Sequence, residues 1–312
     1  MYVAKKQEEL FVPANIVELV KEYGTEEACL AWVTELRDCP DPACVGKIWW
    51  RPKRMLWRCS YCGRDVQFGA LTDWEKSHVP LTKWFEVAWW MASKTVSIRE
   101  LQRLTGLSRM ALHRVVPTYR REMTRWAGAQ MLEGDVEVDE AFLGWNGKRG
   151  RASKPAIMFL AERNGPPIAT PSDKSQIFPN TRLGPPGLQR VVAVQMGSYT
   201  KAATCERLVL KHVKTGSAVY TDDWAGYAGL NWFGYDHHAV NVSKASAPAH
   251  VYLPAVHSAI HQFRDSMRVY SRHPTEKYFP LYLGEWSWRY SNRHISTGER
   301  WAMLIGMINK RT

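Results

Sequence analysis

The spacing of apolar residues changes character along the chain, and each change marks a different kind of element. Residues 14–36 place Ile16, Val17, Leu19 and Val20, then Leu30, Val33 and Leu36, at helical intervals around Gly24, which predicts a pair of amphipathic helices. Residues 39–66 lose that period and gather cysteines among Trp, Arg and Lys, whereas residues 80–128 return to helical spacing with few breakers. From Val136 the pattern shortens to β-type runs bounded by Gly, Pro, Asn or Asp: VEVDEAFL at 136–143, IMFLAE at 157–162, VVAVQM at 191–196, AVYT at 218–221 and HHAVNV at 237–242. Helix-type stretches are ATCERLVLKHV, between the third and fourth runs, and residues 258–270 and 275–292, so the order β-β-β-α-β-α-β-α is expected. The Pro- and Gly-rich segment 164–190 reads as a long loop suited to contacting a ligand.

Composition narrows the class. A chain of 312 residues with 45% hydrophobic and 23% charged content folds into two or three compact domains. Lys and Arg number 42 against 30 Asp and Glu, and the net charge of +12 favours an anionic partner, usually nucleic acid. No stretch approaches the ~18 uninterrupted apolar residues of a membrane span, so the dense run from Trp84 to Met91 reads as a buried helix and membrane proteins are excluded. Glu8, Glu9 and Glu18 interrupt any secretory signal pattern, so a cytoplasmic, nucleoid-associated protein is expected.

Of six cysteines, Cys29 and Cys205 stand alone and the others cluster: CPDPAC supplies Cys39 and Cys44, and CSYC supplies Cys59 and Cys62. Two such pairs predict a tetrathiolate cage for structural zinc, although the first pair has more intervening residues than the common two. With no open coordination position, this ion contributes folding energy and no chemistry. Between the pairs, Lys47, Arg51, Lys53, Arg54 and Arg58 alternate with Trp49, Trp50 and Trp57. That is either a DNA contact surface or a solvated basic edge around a small tryptophan core.

SIRELQRLTGLSRMALHRVVPTYRREM has helix-turn-helix spacing. Ser97 and Ser108 are cap candidates, Leu101 and Leu104 form one face, and Gly106 sits in the turn. The second helix would bury Leu112 and Val115 and present Arg109, His113, Arg114, Arg120 and Arg121 to a major groove.

Asp139 interrupts a β-branched run, where an acidic residue is out of keeping with burial unless it binds something, and Asp222 ends a second such run. Aspartates on adjacent strands can share divalent cations, as two-metal phosphoryl transfer requires.

From about Cys39 to Asn292 the chain resembles DDE transposases of ISXO-type bacterial insertion sequences, which are related to eukaryotic Merlin elements. The resemblance rests on the cysteine pairs, LTKWFEVAWWM, the helix-turn-helix, EVDEAFLG, YTDDWAGYAGL and the closing RYSNRH with Arg289, Asn292 and Arg293. It implies an α+β multidomain protein: an N-terminal helical segment (1–38), a zinc ribbon (39–79), a helix-turn-helix DNA-binding domain (80–130) and an RNase H-like α/β catalytic domain (131–312) with a mixed five-stranded sheet flanked by helices. It further implies terminal inverted repeats and target DNA as partners, a homodimer or higher oligomer on DNA, and cleavage and strand transfer assisted by Mg²⁺ or Mn²⁺. Asp139 and Asp222 would be the first two metal ligands, with Asp223 as the alternative second. Where relatives carry the Glu of I-E-x-F, this chain has His261, which weakens metal binding and suits Mn²⁺ better than Mg²⁺. His257 and Asp265 lie at i−4 and i+4 from it and could share the duty. Arg268 stands where relatives carry Lys and would contact phosphate. The competing reading is a catalytically impaired, transposase-derived DNA-binding protein.

Overall fold

The structure, a computed structural model, describes residues 11–35, 39, 41, 43–54, 56–67, 74, 77–142, 156–163, 190–196, 202–240, 249–270 and 277–309. In chain order they form α1 (Ile16–Tyr23), α2 (Glu26–Glu35), β1 (Ile48–Arg51), β2 (Leu56–Cys59), β3 (Asp65–Gln67), α3 (Leu81–Ser93), α4 (Ile98–Thr105), α5 (Arg109–Gly128), β4 (Asp135–Phe142), β5 (Ala156–Glu162), β6 (Val191–Met196), α6 (Ala202–His212), β7 (Ala218–Asp222), β8 (Asp236–Val240), α7 (Ala249–Tyr252), α8 (Pro254–Tyr270), α9 (Phe279–Ser291) and α10 (Thr297–Asn309). Two compact units result, Met1–Glu122 with Ile295–Thr312, and Met123–His294, the division falling within α5.

In the first unit, Asn15 caps α1 by accepting from the Glu18 amide at 3.0 Å, and Leu19 and Tyr23 face inward. The helix pair forms as its periodicity predicts, but Val17 and Val20 are exposed, so the buried stripe is narrower than the apolar pattern. The centre is aromatic: Trp301 of α10 lies 5.2 Å from Tyr23, 5.2 Å from Trp32 and 5.3 Å from Phe85, and its indole donates to the Phe85 carbonyl. This packing places Ile295–Thr312 with the first unit, whereas the sequence division assigned them to the segment 131–312. The strands β1, β2 and β3 form an antiparallel ribbon around fully buried Trp57, whose indole donates to Thr34 of α2 at 2.8 Å.

Ser97 caps α4 through the Glu100 amide, and Ser108 accepts from the Ala111 amide at the start of α5, each at 3.2 Å. Between them Gly106 adopts φ 71°, a left-handed turn that glycine enters without strain. Leu101, Leu112 and Val115 are buried as the pattern predicts, but so is Arg120, which cannot join the outward row of basic residues.

The second unit is a five-stranded mixed sheet of order β6-β5-β4-β7-β8, in which β4 pairs antiparallel with β5 and parallel with β7. The expected helix between the fourth and fifth strands is replaced by two 3₁₀ turns, Ala225–Tyr227 and Leu230–Phe233. Gly226, Gly229 and Gly234 punctuate that stretch too closely for an α-helix to pay its nucleation cost, and α8 and α9 follow only after β8. Alternation along the central strands divides the core. Val136, Val138, Met158 and Leu160 face α6 and Tyr227, while Ala141, Ile157, Phe159 and Ala161 face α8 and α9. At the β6 margin the Ser287 hydroxyl accepts from the Ala193 amide and the Ser291 hydroxyl from the Val191 amide, both at 3.0 Å. Most of the expected loop 164–190, and the ends of the runs 136–143 and 237–242, lie outside the described residues. No helix among the described residues is long and apolar enough to cross a membrane.

Candidate functional site

Strand register brings the two aspartates together. Glu137 of β4 is paired with Tyr220 of β7 where the parallel ladder ends, and two residues further along each strand lie Asp139 and Asp222, near enough for the charge of Asp222 to act on Asp139. Both point to the sheet face that α8 covers, where Tyr220 also packs. Neighbouring parallel strands hold their backbones only about 5 Å apart, close enough for two carboxylates to share a cation.

The Asp139 side chain is 18% exposed. Burial, the charge of Glu140 and the charge of Asp222 push its carboxyl up to about 7, against the Glu140 amide, which donates to Oδ1 at 2.8 Å. Burial likewise raises Asp222, whose Oδ1 accepts from the Trp224 amide at 3.2 Å. Asp223, the alternative second carboxylate, is exposed. Crowded, partly desolvated carboxylates are costly without a counter-ion, and an all-oxygen pair suits hard cations that keep several waters and take further ligands from a substrate phosphate. The residues present fit a divalent ion on this basis.

Helix α8 places its histidines differently. His257 Nε2 lies 3.5 Å from Asp139 Oδ2. His261, one turn on, is 78% exposed and meets Asp265 at 3.3 Å, not the aspartate pair. Arg268 is also exposed and pairs with Asp265 at 3.0 Å. Arg264 of α8, which sequence reasoning missed, contributes a positive charge that favours the ionised form of Asp139. Spacing alone does not single it out, because His257 and Arg264 are seven residues apart on α8 but so are His261 and Arg268.

A second buried carboxylate in EVDE was also missed. Glu137 pairs with Arg163 at 2.6 Å and accepts from the Val256 amide in the first turn of α8. The Arg163 guanidinium lies 3.6 Å over the Tyr220 ring, which in turn stacks on His238 at 4.8 Å.

In the ribbon, Cys39 and Cys62 sulfurs are 3.7 Å apart, Cys44 and Cys59 are 3.6 Å apart, and all four lie within 4.8 Å of one another. Zinc–thiolate bonds of about 2.3 Å in a tetrahedron require sulfur separations of about 3.8 Å, so the cluster fits zinc. None of the four is in a disulfide. The Gly46 amide donates to Cys44 Sγ and the Tyr61 amide to Cys59 Sγ, each at 3.4 Å. A Cβ at Gly46 would come 2.5 Å from Cys59 Sγ, so the first loop closes only around glycine.

The predicted DNA-contacting residues are distributed unevenly. Arg51 stacks over the exposed Trp49 ring at 4.7 Å, and Lys53 and Arg54 are exposed in the turn between β1 and β2. Arg58 is instead held by Asp65 through two bonds of 2.5 and 2.6 Å. On α5, Arg109, His113 and Arg114 are exposed, with Arg109 Nε 3.3 Å from His113 Nε2.

Over 97 residues the chain is 29% identical to an uncharacterized transposase-like protein of Haemophilus influenzae (strain ATCC 51907 / DSM 11121 / KW20 / Rd), an overlap covering 31% of this chain and 78% of that one. Residues 131–291, the span from just before β4 to the end of α9, match the ISXO2-like transposase domain and include both aspartates and His257. The chain therefore belongs to the ISXO2-like transposase family.

Proposed function

We propose that this protein is a DNA transposase that binds the terminal inverted repeats of an insertion sequence, cuts at the element ends and joins them to target DNA. One observation carries the reading: Asp139, in the middle of β4, and Asp222, at the end of the adjacent parallel strand β7, lie close enough for the charge of one to act on the other, within the matched transposase domain. In this reading the sheet with its helices is an RNase H-like catalytic domain. Divalent ions, Mg²⁺ or Mn²⁺, held by Asp139 and Asp222 would stabilise the attacking and leaving oxygens of an in-line phosphodiester displacement. His257, at 3.5 Å from Asp139, takes the third position in place of the expected His261. Arg264, seven residues after His257 on α8 and exposed, takes the phosphate-facing role first assigned to Arg268, whose guanidinium pairs with Asp265.

The zinc ribbon and the α4–α5 helix-turn-helix supply recognition. Arg51, Lys53 and Arg54 neutralise phosphates, and Arg109, His113 and Arg114 on α5 enter the major groove. Joining two element ends calls for at least two copies on DNA.

The test is strand cleavage and joining on labelled DNA carrying the sequences that flank the protein's own gene, in Mg²⁺ and separately in Mn²⁺. Nicking and strand transfer that vanish in Asp139→Asn are expected. Tight sequence-specific binding without cleavage in either metal would sink the enzyme reading.

A further inference from the structure

A continuous run of hydrogen bonds links the two carboxylates through the opposite side of the sheet. Asp222 Oδ1 accepts from the Trp224 amide at 3.2 Å, and the Trp224 carbonyl accepts from the Tyr227 amide at 3.1 Å. The Tyr227 hydroxyl then donates to the Glu140 carboxylate, and the Glu140 amide donates to Asp139 Oδ1 at 2.8 Å. Tyr227 is fully buried, its ring edge-on to Trp224 at 5.7 Å and packed with Leu230 and Val219, so its hydroxyl is aimed by packing. The Cys205 thiol lies 4.0 Å from the same Glu140 oxygen. Glu140 and Asp139 are consecutive on β4 and point to opposite faces, so Glu140 is outside the carboxylate pair itself.

We infer that Tyr227 and Glu140 are positioning residues whose hydrogen bond fixes the spacing of Asp139 and Asp222 for a divalent cation. The inference rests on the reading of those aspartates as metal ligands. The ladder between β4 and β7 runs only as far as Glu137 and Tyr220, and past Asp222 the chain leaves β7 for a 3₁₀ turn, so at Asp222 the ladder no longer holds the chain to β4. The Tyr227–Glu140 bond restores that tie where the ladder ends, as groups behind a metal ligand commonly orient it.

Zinc-loaded full-length protein would be titrated with Mn²⁺, the free ion read by electron paramagnetic resonance, and thermal unfolding followed in parallel. Manganese is a poor match for thiolates, so the ribbon does not compete. Tyr227→Phe keeps the ring and removes the donor; its Mn²⁺ affinity should fall about tenfold, as when a partner behind a metal ligand is lost, with Tm in the absence of Mn²⁺ little changed. Glu140→Gln, whose amide oxygen still accepts from Tyr227, should retain most of the affinity, while Glu140→Ala should lose as much as Tyr227→Phe. Unchanged affinity in Tyr227→Phe overturns the inference. So do equal losses in Glu140→Gln and Glu140→Ala, a comparison that stands even if Tyr227→Phe does not fold. Asp139→Asn is the reference: it should lose the site, and retention of full affinity there would overturn the metal reading itself, a separate failure.

Discussion

The amide of Val256 donates to Glu137 Oε2 at 2.9 Å, a bond between residues 119 positions apart that fixes the first turn of α8 against the central strand. The other Glu137 oxygen holds Arg163, and both side chains are buried. Removing the carboxylate would therefore strand the Arg163 charge and free the helix that carries His257. Glu137→Ala should cost about 3–5 kcal/mol in urea unfolding, the range for breaking a buried pair. Glu137→Gln keeps an acceptor for the Val256 amide and should cost less; equal costs would mean that the helix bond contributes nothing.

The two histidines of α8 should separate in activity. His257→Ala is expected to slow cleavage about 10–100-fold. His261→Ala breaks only an exposed contact with Asp265 and should leave the rate near wild type. Rates measured in Mg²⁺ and Mn²⁺ check this, and the reverse ranking would return the third position to His261.

Zinc should be removable by geometry as well as by ligand loss. Gly46→Ala places a methyl group where Cys59 Sγ lies, so it should lower bound zinc much as Cys59→Ser does. Metal content per chain, with amide exchange across residues 43–67 as the folding readout, is the measurement. Full zinc occupancy in Gly46→Ala would show that the knuckle tolerates a side chain.

Stability should fall on the acid side through His212. The ring is buried, Nδ1 lies 3.4 Å from the Gln130 carbonyl, and Nε2 has no partner among the described residues. Burial holds its pKa below the usual value of 6.5. The folded state thus binds fewer protons than the unfolded one, so this contribution is complete above pH ~6.5 and lost as pH falls below it, by up to about 1.4 kcal/mol per unit. The urea midpoint of His212→Gln should decline less steeply than wild type between pH 7 and 5.

Elements governed by local pattern were readable from the sequence. Ser97, Gly106 and Ser108 mark their own helix boundaries, and paired cysteines announce a cage whatever surrounds them. Asp139 and Asp222 stood out as candidates because carboxylates in or at the end of β-branched runs are unusual, although Glu137 of the same strand pairs with Arg163 as a structural group. What was not readable depends on contacts between distant segments. Which α8 histidine reaches Asp139 is set by the bond from Val256 to Glu137, and Trp301 joins the first unit through ring contacts with Tyr23, Trp32 and Phe85. Neither leaves a periodic trace. Arg58 looked like its exposed neighbours until Asp65 proved to be its partner across the ribbon.

The hydroxyls of Ser287 and Ser291 occupy one margin of the sheet. By satisfying the Val191 and Ala193 amides of β6 they weaken that margin as a docking template for a foreign strand. The other margin, β8, begins with Asp236, His237 and His238, polar side chains that discourage stacking of one copy's sheet onto the next. If several copies gather on one piece of DNA, as the proposed function requires, these margins guard them against uncontrolled strand addition and leave the order of assembly to the nucleic acid.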